Sequence, residues 1–379
     1  MATEQSALLK LISQSQFGIP ADIDWDTLDT DALYKEASLQ AVLGLISPEI
    51  PEDLADDKWK TATLQQESNY IRYCFTQDEL KNVLDSNDIP FVILKGNAAA
   101  ISYKEPMRRA MGDIDFLVPQ DKFEQARQAL NDNGYTEDHD NDRHLAFKKG
   151  GKSFELHRRF SHEIDIEDYV IEGINNAEQA DIDGHVFPML PKLSNGLVLL
   201  DHMRSHLRSG MGLRQVIDWM MYVHRNLDDA FWNSEFGPIA HDKGLDTLAI
   251  TATRMCEIYL ALPSTHTWCS KADEDTCRQF LEVLFGSGNF GRKNARGNSV
   301  ETVSTSIKRK GLFPWLQYAG EINWEAYHKH HWLKPFCWCY QICRYAKKGF
   351  QSGRNAKQLR NDLNRSDNRY DLLKKLNID

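Results

Sequence analysis

The stretch Gly112-Asp113-Ile114-Asp115-Phe116-Leu117-Val118, followed by Pro119, decides the fold of this chain. Its apolar residues predict a short buried strand from Ile114 to Val118. Successive side chains of a strand point to opposite faces, so Asp113 and Asp115 project from the same surface of the sheet. Two carboxylates this close repel each other unless a cation lies between them, and magnesium prefers oxygen ligands. The stretch predicts a magnesium site, and the alternative is an exposed strand end.

A third carboxylate follows downstream of this strand. The segments HLAFK and KSFELH, joined through Lys149-Gly150-Gly151, predict a β-hairpin. Glu155 lies in its second strand, and alternation places His157 on the same face. If this strand neighbours the first, three carboxylates converge, which is enough to hold two metal ions at an in-line displacement.

A candidate phosphate-binding turn lies upstream. The apolar run FVIL is followed by Lys95-Gly96-Asn97 and then by a small-residue helix, AAAISYK. Glycine lets the backbone approach a ligand closely, and a helix N-terminus presents unpaired N–H groups to an anion. Lys95 and the pair Arg108-Arg109 would add positive charge for a triphosphate. The alternative is a tight turn with solvated basic side chains.

The order of these segments predicts an α+β fold with four regions. Residues 1–86 are expected to form a helical region, and residues 87–191 a small mixed sheet with the order β-α-β-α-β-β. Residues 192–285 are expected to be a second helical region. Residues 286–379 are expected to begin with a flexible, Gly-rich linker over 286–312 and to continue as a basic, aromatic-rich helical tail.

Composition and charge narrow the class of protein. The chain has 379 residues with 41% hydrophobic and 26% charged residues, which is typical of a globular protein. Its start shows no secretory signal, and its 7 cysteines have no regular spacing, so a cytoplasmic protein with reduced thiols is expected. Residues 281–379 carry a net charge of +10 and the rest carries −20. An acidic body argues against nucleic acid as a general partner.

Together these segments resemble the DNA polymerase β-like nucleotidyltransferase superfamily, and especially its bacterial family of uncharacterised nucleotidyltransferases. The resemblance runs from about Leu33 to about Arg225. It is strongest in FVILKGNAAAISY, RRAMGDIDFLV and FELHRRF, and it continues in LVLLDHMRSHLRSGMGLRQVIDWMMYV. It implies that the mixed sheet is a nucleotidyltransferase palm flanked by N- and C-terminal helical regions.

The resemblance also implies residue roles. Gly96 and Asn97 would hold the nucleotide phosphates, and Asp113, Asp115 and Glu155 would bind magnesium, with Glu155 helping to activate an acceptor hydroxyl. The expected reaction moves a nucleoside monophosphate from a nucleoside triphosphate, such as ATP, to a hydroxyl on a small molecule, sugar or protein, with release of pyrophosphate. The helix containing Arg214 would cover the cleft and bring Arg214 to a nucleotide phosphate, the alternative being a helix-stabilising pair with Asp218.

Two other functions remain as alternatives. Asparagine stands at position 97, where the superfamily has serine or glycine, and glutamate stands at position 155, where it has aspartate. These differences motivate a catalytically silent nucleotide-binding subunit with a regulatory or scaffolding role. The basic tail is the single feature that favours a toxin-like enzyme modifying tRNA.

Several further residues invite metal or membrane hypotheses. His202 and His206 share a helix face at metal-ligand spacing, but a structural or cleft-facing role is favoured over zinc because the zincin glutamate is absent. Arg214 is spaced to pair with Asp218 on its own helix. The tail segment WLKPFCWCYQICRYAKKGF, which follows three histidines, is favoured as a packed aromatic helix. Its alternative is an interfacial helix in peripheral contact with an anionic membrane.

Overall fold

The computed structural model describes residues 2–141, 143–161, 166–263, 265–289, 291, 300–352 and 356–378, except for the side chains of 300–302, 348–352 and 356–359. The helices before the sheet are α1 (Thr3–Phe17), α2 (Thr30–Gln40), α3 (Leu43–Ile46) and α4 (Asp57–Asp85). Two of them begin at aspartates whose side chains accept backbone N–H groups of the first turn, namely Asp29 for α2 and Asp56 for α4. The predicted N-terminal helices are thus present.

The sheet has seven strands in the order β3-β4-β5-β2-β1-β7-β6. The strands are β1 (Val92–Leu94), β2 (Ile114–Leu117), β3 (Thr136–Asp140), β4 (His144–Lys149), β5 (Lys152–His157), β6 (Glu178–Ile182) and β7 (His185–Met189). The sheet is mixed, because β2–β5 and β1–β7 are parallel pairs and the other neighbours are antiparallel.

The predicted order β-α-β-α-β-β contains four of the seven strands, and the separate strand-like segment DGHVFPML contains a fifth, β7, so that β3 and β6 were missed. Both missed strands are edges of the sheet, and their sequences, TEDHD and EQADI, are mostly polar. Edge strands bury little apolar surface, so they do not produce the alternating pattern that reveals a half-buried strand. The predicted hairpin is confirmed, since β4 pairs with β5 around Gly150 and Gly151, which both have positive φ.

One face of the sheet is apolar and the other carries the carboxylates. Ile114 and Phe116 of β2 lie in a cluster of buried side chains with residues of α4 and of α6 (Phe123–Asp132). Alternation then turns Asp113 and Asp115 toward the opposite face. The carboxylates of β2 therefore lie on the face opposite this cluster, where Leu117 packs into the core shared with α8 and α9.

Helices α5 (Gly96–Ala100), α7 (Glu167–Asn175), α8 (Lys192–Ser209) and α9 (Leu213–Asn226) complete the surroundings of the sheet. Helices α10 (Asp229–Phe231), α11 (Gly237–Asp242), α12 (Asp246–Tyr259) and α13 (Glu274–Ser287) follow. One cluster of buried apolar side chains includes residues of α1, β1, α8 and α9. The helices before and after the sheet thus share a core, and the predicted boundaries between the regions stay a prediction.

The tail is helical and corrects the predicted linker. It contains α14 (Val300–Lys310), α15 (Leu312–Asn323), α16 (Glu325–Lys329), α17 (Cys337–Ser352) and α18 (Ala356–Lys375). Residues 300–310 were predicted as linker but form α14, because Val303 and Ile307, one turn apart, pack against the apolar cluster around Trp315. Residues 290 and 292–299 of the predicted linker lie outside the described residues. Within the described residues, no helix has the length and apolarity needed to cross a membrane.

Candidate functional site

A cleft of about 300 Å³ lies between the carboxylate face of the sheet and helices α8 and α9. The sheet wall contributes Asp113, Asp115 and Glu155. The turn after β1 contributes Lys95 and Gly96, and the helical wall contributes Asp201, His202, Ser205, His206 and Arg214. Most of the site residues predicted from sequence thus line one cleft.

The register of β2 and β5 brings the acids together. The two strands are parallel, and Asp115 pairs directly with Glu155 across them. Asp113 precedes β2 by one residue and lies on the same face as Asp115 because side chains alternate. The three carboxylates were predicted to converge if these two strands are neighbours. The structure meets this condition.

Asp115 is the most strongly engaged of the three acids. Its Oδ1 lies 2.8 Å from the Lys95 Nζ and 3.0 Å from the His157 Nε2. Burial alone would raise the pKa of Asp115, but the charge of Lys95 and the hydrogen bond with His157 outweigh it and hold the pKa well below its usual range. Asp115 is consequently a carboxylate in contact with one ammonium group and one imidazole.

Asp113 has the opposite electrostatic environment. Burial raises the pKa of Asp113, and the negative charges of Asp115 and Glu155 raise it further. Lys95 and Arg214 act against this shift without cancelling it. A divalent cation beside Asp113 would relieve this repulsion, so the carboxylates on this face suit magnesium in charge and in ligand type.

The turn after β1 has an unusual backbone. Lys95 has φ of 52° and Gly96 has φ of 42°, in the left-handed region that favours glycine. A Cβ at position 96 would collide with the Tyr73 hydroxyl and lie 2.9 Å from its Cζ. The close approach of Tyr73 therefore explains why position 96 requires glycine, and Gly96 itself lines the cleft.

Two of the predicted phosphate-binding side chains point away from the cleft. Asn97 is fully buried, and its Nδ2 lies 3.5 Å from the Cys74 Sγ in the core against α4. Arg108 forms ion pairs with Glu49 and Glu105 on the other side of the loop. These two side chains do not line the cleft, and the role of the Gly96–Asn97 turn and of Arg108 in holding phosphate stays a prediction.

Arg109 lines the cleft but is held by a buried carboxylate. Its Nε and Nη2 donate to the two oxygens of Asp218 at 2.7 and 2.8 Å, and the Tyr103 hydroxyl donates to the same carboxylate at 2.7 Å. Arg109 and Asp218 side chains are only 4% and 3% exposed. This bidentate ion pair joins the loop before β2 to α9. The sequence did not predict Arg109 as a partner of Asp218.

The helical wall carries two histidines that remain neutral. His202 and His206 stack edge to face with ring centroids 4.4 Å apart. Burial lowers the pKa of both, and the charge of Lys95 adds to the effect. For His206 the pKa falls to about 3. These histidines face the cleft, as their favoured sequence interpretation expected.

Sequence inspection missed His144 and Arg143, which also line the cleft. His144 lies in β4 directly opposite His157 in β5. Its Nδ1 is 3.6 Å from the Glu155 Oε2. A signal for His144 existed, because a hairpin with Gly150 and Gly151 at its turn fixes the register, and counting outward from that turn pairs the two histidines.

One family model matches this chain over more than half of its length. A family model described as "Uncharacterised nucleotidyltransferase" matches residues 23–261. Similar solved structures include a solution structure of the antibiotic-resistance factor ANT(2'')-Ia, with 12% identity, a TM-score of 0.34, and coverage of 45% of this chain and 97% of that one. A crystal structure of ANT(2'')-Ia in complex with adenylyl-2''-tobramycin has 11% identity, a TM-score of 0.32, and coverage of 48% and 98%.

A crystal structure of an antigenic nucleotidyltransferase-like protein from Paracoccidioides brasiliensis has 16% identity, a TM-score of 0.32, and coverage of 52% of this chain and 97% of that one. No curated protein matches this sequence.

Proposed function

The chain belongs to the family of uncharacterised nucleotidyltransferases, and on this premise we propose that it transfers a nucleoside monophosphate from a nucleoside triphosphate to a hydroxyl acceptor, releasing pyrophosphate. The observation that carries the proposal is the pairing of Asp115 with Glu155, with Asp113 on the same face of the cleft. The acceptor is a small molecule, a sugar or a protein. The cleft, rather than the tail, is the proposed place of reaction.

The residues present fit a magnesium ion. Asp113 and Asp115 offer carboxylate oxygens on one face, and Glu155 offers a third from the neighbouring strand. The raised pKa of Asp113, caused by burial and by its two acidic neighbours, indicates uncompensated negative charge there. When bound, magnesium supplies neutralisation of the charge on the triphosphate and on the transition state.

The side chains of the cleft would perform the other steps. Lys95, whose Nζ is 2.8 Å from Asp115, and Arg214 provide positive charge for the triphosphate from opposite walls. The acceptor hydroxyl oxygen forms a bond to the α-phosphorus while the bond from that phosphorus to the β-phosphate oxygen breaks. The hydroxyl proton passes to Glu155, and pyrophosphate leaves.

A second candidate function rests on the ion pairs of Asp115. Because Lys95 and His157 already contact this carboxylate and lower its pKa, the cleft is also suited to a subunit that binds nucleotide without transferring it. Such a subunit would have a regulatory or scaffolding role. It would bind a nucleoside triphosphate and release no pyrophosphate.

Calorimetric titration with ATP, GTP, CTP and UTP, with and without magnesium, tests the proposal. Asp113→Asn and Asp115→Asn are expected to abolish magnesium-dependent binding while the protein stays folded. Asp132→Asn, an exposed aspartate on α6, is the matched control and should bind as the parent does. If the intact protein binds none of the four nucleotides under either condition, the proposal is wrong.

Pyrophosphate release then separates the two candidates. The protein is incubated with its preferred triphosphate, magnesium and an extract of small molecules and proteins as acceptors. Release that Asp113→Asn lacks supports the transferase. Nucleotide binding with no release across all acceptor fractions supports the silent subunit.

A further inference from the structure

A cluster of nitrogen and oxygen ligands lies beside the three carboxylates. His144 of β4, and Glu155 and His157 of β5, share one face of the sheet, because His144 pairs with His157 and alternation keeps Glu155 with His157. The Glu155 Oε2 lies 3.6 Å from the His144 Nδ1 and 3.5 Å from the His157 Nε2. Among the described residues, these three form the group whose ligand atoms all lie within 4.8 Å of one another.

Two of the three separations between these atoms are close to those of tetrahedral coordination, and the ligand atoms of the two histidines lie within 4.8 Å of each other. Zinc binds histidine nitrogen and carboxylate oxygen at about 2.0–2.2 Å, so two ligand atoms of a tetrahedral site are about 3.3–3.5 Å apart. The two measured separations from the Glu155 Oε2 are 3.5 and 3.6 Å. An ion at the centre of the three atoms would require movements of only a few tenths of an ångström along these two edges.

The ligand types differ from those suited to magnesium. Imidazole nitrogens bind zinc and related transition metals, whereas magnesium prefers a shell of oxygen atoms. Two of the three ligand atoms here are imidazole nitrogens, and the third belongs to a carboxylate. The chemistry of the cluster therefore selects a divalent transition metal over magnesium.

The surroundings of His144 set a condition on this role. Its other nitrogen, Nε2, lies 3.2 Å from the Asn141 Nδ2, a donor whose amide is oriented by two backbone N–H groups that donate to the Asn141 Oδ1. The His144 Nε2 therefore accepts a hydrogen bond, and a metal ion at Nδ1 would displace the proton that this arrangement leaves there. The cleft also reaches His144 and Glu155, which provides an entry path.

We propose that His144, Glu155 and His157 bind a divalent transition metal of the zinc class, with a fourth position open to the cleft or filled by Asp115. The site is separate in ligand chemistry from the magnesium trio, but the two share Glu155. Occupation by zinc would therefore remove the carboxylate that is proposed to accept the hydroxyl proton. Zinc would act as an inhibitor of transfer, yet its binding requires neither nucleotide nor acceptor.

The competing explanation is that His157 is only a counter-charge. The hydrogen bonds with Asp115 and Glu155 raise the pKa of His157 against the effect of burial, so a proton alone also satisfies the two carboxylates. In that case His144 has no part in the cluster. The two explanations differ in what replacing His144 does to metal affinity.

Cobalt(II) titration of the chelator-treated full-length protein distinguishes them. We expect a single equivalent to bind with the intense visible absorption of a four-coordinate nitrogen–oxygen site, and stoichiometric zinc to displace it. His144→Ala and Glu155→Gln should each weaken cobalt binding by about a hundredfold or more, since even outer-shell changes cost about 10–100-fold. His185→Ala, which removes a histidine paired with Asp78 away from the cleft, is the matched control and should change nothing.

Asp113→Asn separates this site from the proposed transferase. The variant should lose magnesium-dependent nucleotide binding but keep the cobalt spectrum, with affinity within about tenfold of the parent. The proposal is overturned if cobalt gives only weak, six-coordinate absorption, or if His144→Ala binds cobalt as tightly as the parent. Failure of nucleotide binding would contradict the proposed function and leave the cobalt result unaffected.

Discussion

The two walls of the cleft are built on different principles. On the sheet wall, Asp113, Asp115 and Glu155 meet because strand residues two apart share a face and β2 lies beside β5. On the helical wall, His206 and Arg214 come from two helices that are positioned by packing. The sheet wall concentrates negative charge, whereas the helical wall keeps its imidazoles neutral. The acidic wall therefore depends on strand register, and the helical wall depends on tertiary contacts.

The largest expected effect comes from separating the walls at the Arg109–Asp218 pair. Asp218→Ala leaves the Arg109 guanidinium and the Tyr103 hydroxyl without their acceptor in a buried place. Removing one partner of a buried ion pair costs about 3–5 kcal/mol, because the remaining charge stays desolvated. We expect a decrease of that size in the free energy of unfolding, measured by urea denaturation.

The double variant Arg109→Met/Asp218→Leu serves as the control for this effect. Apolar side chains of similar volume remove both charges, so much of the lost stability should return. If Asp218→Ala alone costs less than about 1 kcal/mol, the pair does not hold α9 to the loop before β2.

The next effect tests the turn on the sheet wall. Gly96→Ala places a Cβ against the Tyr73 ring at a residue with φ of 42°. Backbone strain and overpacking together should cost about 2–3 kcal/mol in the free energy of unfolding. Denaturant melts of the purified variant measure this loss.

Two further variants show whether that loss of stability comes from the contact with Tyr73 or from the backbone. Gly112→Ala, whose Cβ would meet nothing closer than 3.8 Å, should stay within about 0.5 kcal/mol of the parent. Adding Tyr73→Phe to Gly96→Ala removes the closest atom and should recover part of the stability. No recovery would mean that the strain lies in the backbone alone.

The contrast between the walls also explains what the sequence could predict. Period-two alternation is a local rule, so the sequence predicted that Asp113 and Asp115 share a face, whereas their convergence with Glu155 depended on the condition that two strands are neighbours. Edge strands β3 and β6 were missed because their exposed, polar residues do not alternate. Register could have supplied His144, since the turn of the hairpin fixes it.

The loop before β2 shows that these local rules do not predict the direction of a loop side chain. Arg108 and Arg109 are adjacent in sequence and were assigned the same role, yet one pairs with Glu49 outside the cleft and the other with Asp218 at its wall. Glu49 and Asp218 are both distant in sequence, whereas Glu105, the other partner of Arg108, is three residues away. The difference between the two arginines is therefore made by tertiary packing. The direction of a loop side chain is therefore not encoded in spacing.

A smaller effect tests whether His206 on the helical wall is neutral. The pKa of His206 is lowered to about 3 by burial and then by the charges of Lys95, Arg214 and Arg143. At pH values below the ordinary pKa of histidine, the unfolded chain binds a proton at His206 that the native state does not bind. The free energy of unfolding therefore falls as the pH falls toward 3. His206→Gln should reduce the slope of unfolding free energy against pH by up to about 1.4 kcal/mol per unit.

Urea denaturation at about pH 7 and about pH 5 checks this slope. His241→Gln is the matched control, since His241 is exposed and its pKa is raised by hydrogen bonding with Asp246. A pKa raised in the folded state stabilises the protein as the pH falls, so replacing His241 cannot reduce the slope of the unfolding free energy against pH. An unchanged slope in His206→Gln would show that His206 is protonated in the folded protein.

The smallest expected effect distinguishes the two adjacent arginines. Arg108→Ala removes partly exposed ion pairs with Glu49 and Glu105, and should cost only about 1 kcal/mol of stability. Its nucleotide affinity in calorimetry should equal that of the parent, whereas Arg214→Ala, at the cleft, should bind more weakly. A tenfold loss of nucleotide affinity in Arg108→Ala would mean that its side chain leaves Glu49 and turns into the cleft when nucleotide binds. The loop before β2 would then move between two positions, and the sheet wall would depend on tertiary contacts as much as the helical wall does.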